Sequence, residues 1–177
     1  MKNKKGYFVA SLRRFLLPSL NRFYLLRVAV LAGTSFLFFY YICRPAWTNG
    51  ESMLPTYKEK EFLFYWQPAY WFFQPKRGDV VIIHMAGNNF FLLKRVVAIA
   101  GETVEFRNGT LLVDGKPRHE KWASLTPCQW NLDERVVEKK CVYVVGDNRA
   151  MPLEQHEFGQ VEIKKITGKA ISYKKDK

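Results

Sequence analysis

Residues 79–115 read DVVIIHMAGNNFFLLKRVVAIAGETVEFRNGTLLVDG, and their pattern decides the fold. Short runs rich in β-branched and aromatic residues (79–84, 90–100, 103–106 and 110–115) alternate with turn residues, and helical periodicity is scarce. Asn108-Gly109 and Asp114-Gly115 are the strongest hairpin signals in the chain, because a tight type I′ turn needs positive φ at both central residues. Further out, FLFYW (62–66), VYVV (142–145) and AISY (170–173) read as strands of the same kind. The expectation is a mainly β domain over residues 45–177, with no internal repeat.

The first fifty residues have a different character. They carry eight basic residues (Lys2, Lys4, Lys5, Arg13, Arg14, Arg22, Arg27 and Arg44) and no acidic one. The whole chain of 177 residues has 28 Lys plus Arg against 16 Asp plus Glu, a formal net charge of +12, so the remainder is only mildly basic. FYLLRVAVLAGTSFLFFYYIC (23–43) holds Arg27 as its single charge and reaches the roughly 20 residues a bilayer requires. Tyr24, Tyr40, Tyr41 and Trp47 sit where interfacial aromatics belong. The reading is a basic cytoplasmic or interfacial segment (1–22), a transmembrane helix (23–44) and an extracytoplasmic domain (45–177). The basic flank before the span places the N-terminus in the cytoplasm of a plasma-membrane protein. Residues 6–22 read as a basic amphipathic helix on the inner surface, broken at Pro18. With 48% hydrophobic residues the chain is not disordered. A nucleic-acid partner is disfavoured too, because the charge clusters beside the span rather than on the β domain.

Three segments carry candidate chemistry. Asn49-Gly50-Glu51-Ser52-Met53-Leu54-Pro55-Thr56 places a serine in a Gly/Pro turn, either an ordinary turn residue or a nucleophile. Phe91-Leu92-Leu93-Lys94-Arg95-Val96-Val97 places a lysine inside an apolar strand. Such a lysine normally points to water; turned inward, its ammonium is disfavoured by desolvation and the neutral amine can act as a base. Val145-Gly146-Asp147-Asn148-Arg149 follows an apolar strand and on its own reads as turn capping.

In this order the three segments resemble the type I signal peptidase family, membrane-anchored Ser/Lys endopeptidases that remove signal peptides from exported proteins. Arg77-Gly78-Asp79-Val80-Val81, the continuation of the lysine segment through Gly101-Glu102-Thr103-Val104, and Phe158-Gly159-Gln160-Val161 extend the likeness from about Trp47 to Gly168. The resemblance implies a signal-peptidase-like β domain behind one transmembrane helix, with Ser52 as nucleophile and Lys94 as general base. It makes Gly50, Ser52 and Met53 the oxyanion and substrate-binding positions, and Pro55, Asp147, Asn148 and Arg149 structural. It also implies preproteins with small residues at the first and third positions before the cut, docked as an added strand, and a lipid bilayer as partners. No cofactor and no metal is implied, and His84, His119 and His156 read as structural or exposed.

The chain departs from the family at several points. Gly50 has no hydroxyl where the family has a second oxyanion donor, leaving a backbone group or Thr48 for that role. Pro152 stands where a serine normally holds the lysine, so something else must orient Lys94. Glu154 and His156 stand where the family has an Asp/Arg pair. These departures suggest a specialised maturation peptidase of a secretion or conjugation system, or an anchored binding module with an impaired dyad, as alternatives. Cys128 and Cys141 flank QWNLDERVVEKK, read as a small hairpin excursion, and in an oxidising compartment they are expected to pair, with Cys43 a free thiol. The aromatic run FYWQPAYWFF (64–73) reads either as a buried strand-turn-strand or, preferred, as a surface resting on lipid.

Overall fold

The structure, a computed structural model, describes residues 21–84, 91–123, 128–156 and 159–171. The amphipathic helix read over 6–22 lies outside these residues except at its last two positions. Helix α1, Arg22–Tyr41, has no buried residue and is long enough and apolar enough to cross a membrane. It ends at Tyr41, short of the 23–44 span read from the sequence, because Cys43–Trp47 (β1) is already extended and pairs with Phe62–Trp66 (β2).

The domain from Ile42 onward carries two antiparallel sheets. The larger contains β1, β2, Val80–His84 (β3), Phe91–Ile99 (β4), Cys141–Val145 (β9), Gly159–Glu162 (β10) and Ile166–Ile171 (β11), in the order β1-β2-β11-β3-β4-β9-β10. The smaller contains Thr103–Arg107 (β5), Thr110–Val113 (β6), Lys116–Pro117 (β7) and Leu132–Val136 (β8), in the order β7-β6-β5-β8. The small sheet is an excursion of the chain between β4 and β9, which are themselves neighbours. Both Asn-Gly and Asp-Gly turn the chain as expected, with Asn108, Gly109, Asp114 and Gly115 all at positive φ.

Side-chain alternation sorts the strands into three cores. On β3, Val80 and Ile82 join Met53, Tyr57, Leu63 and Tyr65, while Val81 and Ile83 face the opposite way onto Val96, Val142, Val144 and Ile166. On β9, Tyr143 and Val145 instead pack with Phe106, Leu111, Val113 and Trp130 of the small-sheet core. Strands buried on both faces lose the polar half of the usual alternation, so β3 and β9 read as unbroken apolar runs.

Two expectations change. QWNLDERVVEKK is no separate hairpin: β8 pairs with β5 and completes the small sheet. Cys43, Cys128 and Cys141 are all free thiols, so the expected Cys128–Cys141 bridge is absent. Cys141 follows the crossing where Val137 bonds Glu102, at the start of β5, whereas the Cys128 carbonyl packs on Gly109, beyond the other end of β5. The length of β5 separates them by roughly 20 Å, and a bridge needs Cα atoms within about 7 Å.

Candidate active site

The serine segment is a loop closed at its base. Thr48 and Glu61 are bonded across it (Thr48 N to Glu61 O, 3.0 Å), and Lys60 N donates to Thr48 O at 2.9 Å. The Thr48 hydroxyl belongs to this closure, donating to Lys58 O at 2.5 Å and accepting from Glu61 N at 2.8 Å. Thr48 is therefore a clasp and drops out as an oxyanion donor. Met53 and Tyr57 anchor the loop from below, buried with Leu63 and Tyr65, while Pro55 is exposed and Ser52 half-buried above them. Gly50 sits at φ +85°, a conformation costly for a residue with a side chain, which accounts for glycine there.

Lys94 lies in β4, in register with Val81, and is only 2% exposed. The strand therefore turns this lysine inward. The next residue, Arg95, faces the other way and is in register with Val145, the last residue of β9. That register sets β4 alongside the Gly146–Arg149 turn.

The turn holds the serine loop by its backbone. Asn148 N donates to Ser52 O at 3.0 Å and Asn148 Nδ2 to Glu51 O at 3.1 Å. Asp147, with 0% exposure, accepts both Arg95 Nε (2.8 Å) and Nη2 (2.6 Å), and also the Thr56 hydroxyl (2.5 Å). One carboxylate thus ties the serine loop, the lysine strand and the turn together, through charge-assisted bonds sheltered from water. The Arg95 guanidinium also donates to Gly78 O and lies 4.0 Å from the Trp122 ring centroid. Arg149 is held by Glu120 (2.8 Å) and donates to Gly146 O. Burial pushes the Glu120 carboxyl up while Arg149 pulls it down, with burial the larger effect.

Of the three histidines, His84 and His119 are exposed. His156 is buried at 5% exposure and accepts the Gly146 N–H on Nε2 at 3.0 Å. Burial, and then the charges of Lys94 and Arg149, push its pKa down to about 4. It is therefore neutral at ordinary pH. Glu154 is exposed whereas His156 is buried, so the two do not share the environment that the family's charged pair would need. No cluster of His, Cys, Asp or Glu that could hold a metal occurs among the described residues.

Ser52, Gly50 and Met53 line one cavity of about 330 Å³. Its floor is Leu63, Tyr65 and Ile82; one wall is β1 with Thr48 and Asn49, the other Phe91–Leu93 of β4. Both walls present backbone. β1 ends the large sheet, and among the described residues Phe91–Leu93 pairs with β3 alone, because the β4–β9 ladder begins at Arg95. On the same domain Trp71, Phe72 and Phe73 project outward, Phe72 at 85% exposure, after a 3-10 turn over Gln67–Tyr70. The buried strand-turn-strand reading of 64–73 is excluded, since no second strand follows β2 there. Sequence reasoning missed Glu120 and Trp122, and it named Thr56 and His156 without the contacts they make here, with Asp147 and with Gly146.

Residues 21–173 match the family model described as signal peptidase, peptidase S26. The probable signal peptidase I-1 of Synechocystis sp. is 33% identical over 157 residues, covering 83% of this chain and 78% of that protein. Signal peptidase I of Leptolyngbya laminosa is 30% identical over 140 residues, 74% of this chain and 68% of its own. Signal peptidase IB of Staphylococcus aureus is 28% identical over 168 residues, 82% and 85% of the two chains. With a mainly β domain behind one apolar helix and a match spanning nearly all of both, this chain belongs to the signal peptidase family, peptidase S26.

Proposed function

We propose that the protein is a membrane-bound serine endopeptidase that removes N-terminal signal peptides from exported proteins, with Ser52 as nucleophile and Lys94 as general base. The observation that carries this reading is a lysine 2% exposed within a β-strand, beside the turn that grips the nucleophile's own carbonyl. Desolvation disfavours the ammonium, so a buried lysine is available as a free amine. In the neutral form its nitrogen takes the Ser52 proton as Oγ attacks the scissile carbonyl. It returns that proton to the leaving amine, and then activates the water that hydrolyses the acyl-enzyme. The Ser52 N–H is the oxyanion donor we assign. Gly50 adds no hydroxyl and leaves the cavity wall beside the serine bare.

A substrate segment entering this cavity can add as a strand to the open edge at Phe91–Leu93 or to β1, since an unpaired edge offers alternating N–H and C=O groups. The apolar floor fits small side chains before the cut. The partners are thus a preprotein and the lipid bilayer, the latter reached by α1 and by the Trp71–Phe73 run, and not nucleic acid. Purified full-length protein in detergent should cut an exported preprotein once, after Ala-x-Ala. Replacing either alanine by a bulky residue should lower the rate by at least about tenfold. Cleavage indifferent to both replacements would remove the signal-peptidase reading.

The N-terminus lies in the cytoplasm and residues 45–177 lie outside it, on the strength of the eight basic residues among the first fifty. Alkaline phosphatase fused at the C-terminus should be active, and a reporter that works only in the cytoplasm should be silent there. The reverse pattern would invert the topology.

A further inference from the structure

The buried histidine has no part in the dyad chemistry, yet it sits against the backbone that carries it. A Cβ added to Gly146 would collide with both the Ser52 carbonyl oxygen and the His156 ring, closest at its Cε1 and 2.8 Å from Nε2. Gly146 is therefore glycine because the Ser52 carbonyl and the His156 ring together fill the space its side chain would take. The 3-10 turn Leu153–Gln155 delivers the ring: it starts at Pro152, and His156 N bonds back to Leu153 O at 3.1 Å. Trp130 fixes it from the far side, its ring 4.7 Å from the imidazole and its Nε1 donating to Met151 O at 3.0 Å. Gly146 follows the last ladder residue of β9, and His156 Nε2 accepts its N–H where the strand ends.

We propose that His156 is a positioning residue for the peptidase reaction: its unprotonated Nε2 holds the Gly146–Asn148 turn, which in turn holds the Ser52 backbone at its attacking position. The link is continuous, from Nε2 to Gly146 N–H, and from Asn148 N–H to Ser52 O. An acceptor is required at Nε2, so the neutral ring carries its proton on Nδ1. Burial above all keeps the ring neutral, and Arg149 on the turn, paired with Glu120, acts in the same direction; Lys94 adds to this only while it is protonated. Asp147 is occupied by Arg95. With its pKa near 4 the acceptor is present throughout the range in which a lysine base works. The position is also where the family's charged pair is replaced, so the role belongs to this chain's own turn. The inference rests on the Ser52/Lys94 reading.

The test compares His156→Phe, which keeps a ring against Trp130 but offers no acceptor, with His156→Gln, whose amide oxygen can reach the Gly146 N–H. Both are made in the full-length protein in detergent, with kcat, KM and Tm measured on one preprotein. The expected result is a kcat loss of about 10- to 100-fold in His156→Phe, because small displacements of a nucleophile are costly. KM should stay within about twofold, and His156→Gln should lie within about threefold of the parent in kcat. Full activity in His156→Phe, or equal losses in Phe and Gln, would overturn the role. Should His156→Phe not fold, His156→Asn replaces it: its shorter amide should lose kcat where Gln keeps it, and equal behaviour of the two would count against the proposal. Ser52→Ala, run alongside, separates the two readings. Activity surviving there removes the dyad and this inference with it, whereas an inactive Ser52→Ala beside a fully active His156→Phe removes this inference alone.

Discussion

Lys94→Arg should be folded and inactive. Arginine keeps the charge and approximate length, but a guanidinium does not release its proton at any working pH, so it cannot accept one from Ser52. The expected loss is at least about 10⁴-fold in kcat, the scale on which removal of one member of a catalytic unit acts. Lys94→Met should be equally inactive. Because it replaces an amine that is 2% exposed by an apolar chain of similar length, its Tm should equal or exceed the parent's. Ser52→Ala should match either variant, and the double variant should be no worse, since neither residue works alone. The parent's rate should rise with pH as the amine loses its proton, because only the neutral form is a base. Near-native cleavage by folded Lys94→Arg or Lys94→Met would make Lys94 an ordinary buried strand residue.

What could be read in advance depended on whether a signal was local. Strands β3 and β9 declare themselves because both faces are buried, leaving VVIIH and CVYVV almost without polar residues. The polar strands were invisible for the opposite reason. LDERV (β8) has no buried residue, KP (β7) is two residues long, and CRPAW (β1) continues the apolar run of the helix and carries a proline. Proline is tolerated there because β1 is an edge strand. The site divides in the same way. Ser52, Lys94 and Asp147 stand in short motifs whose order in the chain is diagnostic. The groups that hold them in place do not. Thr56 meets Asp147 across 91 positions, and Glu120 reaches Arg149 across 29. His156 offered one faint signal, a histidine where the family's charged pair is lost. Only the fold reveals that it turns inward under Gly146. The disulfide expectation failed similarly, because a short loop in sequence is extended in space by the length of β5.

Asp147→Ala should be the most destabilising single change in the domain. Its carboxylate is fully buried and accepts a bidentate Arg95 and the Thr56 hydroxyl. Alanine would leave a guanidinium buried among Trp122, the Gly78 carbonyl and no counter-charge, and desolvated charge without a partner is the expensive case. Breaking such a pair costs about 3–5 kcal/mol, which in a domain of this size lowers Tm by roughly 10–20 °C. Arg95→Ala should cost a similar amount, since it strands the carboxylate instead. The pair is not itself a large net source of stability, because bringing both charges out of water offsets most of their attraction. Replacing both, as in Arg95→Met with Asp147→Leu, should therefore recover much of the loss, and the double-mutant cycle should show a coupling of about 2 kcal/mol or more. Activity is expected to behave differently. The double variant removes the tie between Thr56 of the serine loop and Arg95 of the lysine strand, so cleavage should stay at least about 10²-fold down even where Tm returns. Single variants within about 1 kcal/mol of the parent would show that the pair is solvated. A double variant restored in both Tm and kcat would show that Asp147 stabilises the fold without aligning the loop and the strand.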